Sequence, residues 1–144
     1  ERFDEVKKYY DFIFNPQEDK LLDQAKFKIS KEYFPVNRRK PKMRRSVAQK
    51  IIREYSKLEM APDVLAEIMF YNVEIAQTFA RGKDNISSAF EKSMYKSFEQ
   101  AVSFLIENGI LEAYKERIRK ITVESHEQKW SNSYQFVSLA DRVL

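Results

Sequence analysis

Residues 61–82 read APDVLAEIMFYNVEIAQTFARG, and this stretch decides the fold. Pro62 suits the first turn of a helix, because the N–H it lacks is one that a helix start leaves unbonded anyway. Gly82 suits a left-handed stop beyond a last turn near Arg81. At about 100° per residue, Val64, Leu65, Ile68, Met69, Val73, Ile75, Ala76 and Phe79 cover most of the circumference between those limits. A helix that is apolar over so much of its surface must be packed by neighbours on several sides. Its charges fall in one narrow band of Asp63, Glu67, Glu74 and Arg81, with Thr78 beside them. Asn72 projects into the apolar side, where its amide needs hydrogen-bond partners.

The neighbours that such a helix requires lie on both sides of it in sequence. Phe3, Val6, Tyr10, Ile13 and Phe14 fit a first helix ending near Asn15. Pro16 then opens another, with Asn15 as its cap, Glu18 and Asp19 in its first turn, and Leu21, Leu22, Ala25 and Ile29 inward. A helix from about 44 to 58 would bury Val47, Ala48, Ile51, Tyr55 and Leu58. Its other face would carry Arg45, Gln49, Lys50, Arg53 and Lys57.

After Gly82, Ser88 with Glu91 three residues on reads as a capping box. The helix it opens turns Phe90, Met94, Phe98, Ala101, Val102, Phe104, Leu105 and Ile106 inward. Lys92, Lys96, Glu99, Ser103 and Glu107 face out. Gly109 can close it in the left-handed conformation, with Ile110 folding back on the last turn. A helix over about 111–127 has a thin stripe of Leu111, Tyr114, Ile118 and Ile121, with Glu116 and Lys120 placed to pair across one turn. A final helix is predicted near 133–143.

Composition agrees. Two Gly and four Pro in 144 residues are too few for sandwiches, barrels or glycine-loop nucleotide folds. The absence of Cys excludes disulfides and thiolate metal sites and points to a reducing cytoplasm. A single His excludes a multi-histidine zinc site. No apolar run reaches the roughly 20 residues needed to span a bilayer, and no signal-peptide pattern is present. The chain begins at Glu1 rather than Met, so native residues are expected upstream.

The functional lead is a second stretch, FPVNRRKPKMRRS, at 34–46. Arg38, Arg39, Lys40, Lys42, Arg44 and Arg45 exceed the whole net charge of +4, so the rest of the chain is slightly acidic. With Lys50 and Arg53 on the next helix, they form a candidate cationic surface for a partner or an anion. Such a surface attracts phosphates in a salt-dependent and largely sequence-independent way. No aromatic after Phe34 is available to stack bases, and no helix-turn-helix signature is present.

Catalytic signals are absent: no nucleophile elbow, phosphate loop, HExxH or calcium loop occurs. His126, in ESHEQKW, lies in a polar stretch near a helix end, where a cation suits the dipole. Asp63, Glu67 and Glu74 share one face and could hold a hard cation. The plainer reading is a solvated or ion-paired stripe, or a docking face for the basic residues at 38–45.

The segments FKISKEYFPVNRRKPKMRRSVAQKII (27–52), LAEIMFYNVEIAQTF (65–79) and SFEQAVSFLIENGILEAYKERI (97–118) resemble a bacterial family catalogued as a domain of unknown function. The resemblance runs from about Tyr10 to Trp130. It implies a small, soluble, all-helical cytoplasmic protein with an additional N-terminal helical segment. It brings no activity, cofactor or site residue.

The expectation is a single all-α domain over 1–144, with six to seven helices in antiparallel hairpins. They form a compact bundle or a short stack of helix pairs, with the helix over 62–81 central. Its expected role is that of a non-enzymatic interaction module whose partner is a protein with an acidic surface. The alternative is a nucleic-acid-binding protein using the same cations on phosphates; an enzyme using Asp63, Glu67 and Glu74 ranks third. No cofactor, metal, catalytic residue or membrane partner is expected, and the sequence carries no signal for an oligomeric state.

Overall fold

A computed structural model describes residues 16–34, 45–81, 83 and 86–144. The expected helix over 3–14, the Asn15 cap, the Val47 side chain and the Gly82 stop lie outside the described residues. Among those described there are six α-helices, one 3₁₀ turn and no strand. We label the helices α1 (Pro16–Tyr33), α2 (Arg45–Ser56), α3 (Pro62–Ala80), α4 (Ser88–Glu107), α5 (Lys115–Glu127) and α6 (Ser133–Val143). The 3₁₀ turn, Leu111–Tyr114, leads directly into α5.

The all-round apolar surface of α3 has the expected consequence. It contacts α1, α2, α4 and α5, while α6 packs on α5 and α4. The helix pairs therefore share one centre, which is a bundle rather than a stack in which each unit meets only its neighbours. Ile68, Phe70, Val73 and Ala76 of α3 are fully buried there, together with Ile29 of α1, Phe98 of α4, Ile118 of α5 and Phe136 of α6.

An aromatic chain crosses this core. Tyr33 meets Phe79, Phe79 meets Phe90, Phe90 meets Trp130, and Trp130 meets Phe136, with ring centroids 5.7–6.4 Å apart. Tilted and edge-on pairs at these separations add to plain area burial because ring edges face ring faces. Asn72 is fully buried, and its Oδ1 accepts the Tyr33 hydroxyl at 3.0 Å.

Several local expectations shift. The helix expected over 44–58 stops at Ser56, which leaves Leu58 exposed beyond its end. Gln49, placed on the outer face by the sequence, is half-buried and donates to Ser97 Oγ of α4. On α4, Phe104 is half-buried and Ile106 is 53% exposed, because no neighbour reaches the outer side of its last turn. The α4 cap is Ser87, not Ser88: the Ser87 Oγ accepts from the Phe90 N–H. Glu91 does not turn back to the cap, because it is buried and accepts the Ser131 hydroxyl.

At the far end of α4, Gly109 takes φ +67°, and the Ile110 N–H bonds back to Leu105 O. This is the left-handed closure that the sequence predicts. The end of α5 repeats it without glycine. Lys129 has φ 59°, and the Trp130 N–H returns to Ser125 O.

Candidate functional site

Two polar regions carry charge in a non-random arrangement. The first is the charged band of α3. It is only partly open to solvent, because α5 lies along it. Tyr114 donates its hydroxyl to Asp63 O at 3.1 Å. One turn on, the Arg117 guanidinium binds Glu67 and grips both Glu74 oxygens. Gln77 then donates to Ile121 O at 2.9 Å, and Arg81 pairs with Glu124. Gln128 donates to Gln77 O. The thin apolar stripe of α5 is thus supplemented by a polar seam, each member of which answers one on α3.

Arg117 is the centre of that seam. Its guanidinium carbon lies 5.5 Å from the Phe70 ring centroid and 5.4 Å from that of Tyr114. Burial opposes its charge, but the hydrogen bonds to Glu74 and Glu67 outweigh burial and hold its pKa above the ordinary arginine value. Burial, then Glu67, pushes the Tyr114 hydroxyl well above the usual tyrosine range. Asp63 is also raised, chiefly by burial, then by Glu67 and Glu18.

Glu67 and Glu74 of the acidic stripe are therefore held by Arg117 of α5, while at Asp63 the backbone carbonyl accepts from Tyr114 of the 3₁₀ turn. A metal ion would have to displace the Arg117 fork, and among the described residues no group of three or more His, Cys, Asp or Glu side chains is placed to hold one. The expected Glu116–Lys120 pair is replaced by Glu116 with Arg119, three residues away. His126 is exposed at the end of α5.

The second region is the face made by α1 and α2. Of the sequence-predicted contact residues, Arg38, Arg39, Lys40, Lys42 and Arg44, with the Arg45 side chain, lie outside the described residues. Lys50 and Arg53 project from α2 into solvent, and Lys57 follows just past its end. None of the three forms an ion pair among the described residues, whereas Arg81, Lys115, Arg117 and Arg119 all do. Glu54 is the one carboxylate on this part of α2.

On the adjoining α1, Lys28 lies 5.2 Å above the Tyr55 ring of α2 and joins the two helices. Phe27, Lys31 and Phe34 then form a stripe at helical spacing. Phe27 is 59% and Phe34 45% exposed, with Lys31 Nζ 4.3 Å from the Phe27 centroid. The sequence placed neither ring at the surface, because exposure depends on which neighbours reach α1.

Arg117 is the other residue that the sequence did not single out. It lies 43 positions from Glu74, so no local spacing announces the pair. Among the described residues no helix is long and apolar enough to cross a membrane.

Residues 1–143 match the family model described as "Family of unknown function (DUF6155)". No curated protein and no solved structure matches the chain.

Proposed function

From a chain that belongs to the family of unknown function DUF6155, we propose a non-enzymatic interaction module. Its contact surface is the basic segment of Arg38, Arg39, Lys40, Lys42, Arg44 and Arg45 with the outer face of α2, Lys50 and Arg53. The partner is a protein with an acidic surface. The observation that supports this reading is the division among the cations. Arg117 of α5 and Arg81 at the end of α3 are paired with carboxylates of the facing helix, while Lys50 and Arg53 on α2 are exposed and unpaired among the described residues. Like charges left together on a surface raise the field there and steer an oppositely charged partner.

The stripe of Phe27, Lys31 and Phe34 favours a second reading. Exposed rings beside cations are how proteins hold single-stranded nucleic acid without sequence preference: bases stack on the rings, and phosphates meet the cations. The two readings separate by titration with polyglutamate and with a single-stranded homopolymer of equal charge, at low and moderate salt. Tighter polyglutamate binding supports the protein partner. Tighter homopolymer binding, falling steeply with salt and weakened by Phe27→Ala, supports the nucleic-acid reading. Absence of binding to both at low salt overturns both. The enzyme reading finds no support in the seam, where Glu67 and Glu74 are held by Arg117.

A further inference from the structure

Where α4 meets the start of α6 there is a cavity of about 390 Å³, within the range of small-ligand sites. Lys92, Tyr95, Lys96 and Glu99 line it from α4, and Asn132 and Tyr134 from the start of α6. Asn132 is 7% exposed, and neither its Oδ1 nor its Nδ2 meets a partner. Enclosed amides are ordinarily paired, so this one offers an unused donor and an unused acceptor side by side. Lys92 and Lys96 are exposed one helical turn apart, with no ion-pair partner among the described residues. Like charges at that spacing repel, and an anion between them removes the repulsion. The Tyr134 ring is 66% exposed.

We propose that this cavity binds a nucleotide: its base edge on the Asn132 amide, its base face on Tyr134, and its phosphate between Lys92 and Lys96. An asparagine amide pairs bidentately with an adenine edge, aromatic rings stack on any base, and lysines serve as point charges for phosphate. Glu99 favours a nucleotide over an acidic peptide because it can accept ribose hydroxyls, donors that peptide carboxylates lack. Both amide atoms are closed to water as the cavity stands, so binding requires a lining side chain to swing aside, and Tyr134 has the room to do so. The site is built from α4 and α6 and does not depend on the cationic face of α1 and α2.

The one tryptophan of the chain, Trp130, lies two residues from Asn132 and packs edge-on against Phe90 and tilted against Phe136, so its fluorescence reports on the cavity. Titration with AMP gives a saturable change with a Kd below about 1 mM. Asn132→Ala and Asn132→Asp each weaken AMP by about tenfold, with thermal unfolding confirming that both variants fold. Lys92→Ala with Lys96→Ala weakens AMP similarly and leaves adenosine unchanged. A single-stranded oligoadenylate that competes with AMP, and depends on Asn132, shows that the same site takes the nucleotide from a strand. The proposal is overturned if AMP gives no saturable response, or if polyglutamate displaces AMP and binds more tightly. It is also overturned if Asn132→Ala binds AMP as wild type does, which would leave the amide to an ordered water.

Discussion

Arg117 of α5 holds Glu74 of α3 with two parallel contacts, Nε to Oε2 at 3.3 Å and Nη2 to Oε1 at 2.5 Å, while its remaining nitrogen binds Glu67. A planar guanidinium is the side chain that can serve two carboxylates in this way, because its donors form a rigid fork. The pairing explains how a helix with so thin an apolar stripe as α5 is held against the centre of the bundle. It also gives Glu67 and Glu74 of the acidic stripe a structural role.

Removing Arg117 leaves Glu67 and Glu74, both on α3, in a half-buried seam without a counter-charge. Arg117→Met is expected to destabilise the fold by about 1–2 kcal/mol. That lies between the value for an exposed pair and the roughly 3–5 kcal/mol for breaking a fully buried one, because both carboxylates keep about a third of their exposure, 32% and 37%, and water screens them. Glu74→Gln costs less, since Glu67 still partners Arg117. Urea unfolding of the two variants beside wild type checks both the sizes and the order.

Asp63 supplies a pH signature. Burial, then Glu67 and Glu18, raise its pKa above the ordinary 3.8. The folded chain thus takes up this proton more readily than the unfolded chain does. The contribution of Asp63 to stability is most favourable below 3.8 and falls as pH rises through the window between 3.8 and the raised value. Asp63→Asn removes that loss. The unfolding free energy of Asp63→Asn minus that of wild type should therefore climb with pH across the window and level off above it. A difference that stays flat from pH 3 to 7 would contradict the assignment.

The two left-handed closures should respond in opposite directions. Gly109 has φ +67° with open space around it, so Gly109→Ala meets no clash but forces an L side chain into a disfavoured conformation. A loss of about 1 kcal/mol is expected. Lys129 already bears that strain at φ 59°, so Lys129→Gly should gain a fraction of a kcal/mol, reduced by the entropy glycine adds to the unfolded chain. Thermal melts of the two variants should move apart around wild type.

What was legible in the sequence was what short spacing encodes. The apolar girdle of α3, the Pro16 and Pro62 starts, the Gly109 closure and the 133–143 helix were all read from residues within a turn of one another. The misreadings share a different cause. Ser87 and Ser88 are equally good caps locally; Ser87 holds the position, and Glu91, the would-be partner in a capping box, is drawn away to Ser131 across the bundle. Ile106 and Leu58 follow the inward spacing, but no neighbour reaches them. Arg117 belongs to carboxylates 43 and 50 positions away, and its role appears only once α5 is laid on α3. The Asn132 amide carried no signal either, since its isolation depends on the cavity around it.

The central proposal is that the basic segment over 38–45, with Lys50 and Arg53 on α2, serves an acidic partner; among the described residues Lys50 and Arg53 are exposed and form no ion pair. The most direct measurement is the binding of labelled polyglutamate at low salt to wild type and to a variant carrying Arg38→Glu, Arg39→Glu, Lys50→Glu and Arg53→Glu, alongside thermal unfolding of both. The account predicts that the variant loses binding by at least about tenfold while its unfolding temperature stays close to that of wild type, as it should if none of the four charges is paired inside the bundle. Unchanged binding, or a fold that melts once those four charges are reversed, would contradict it.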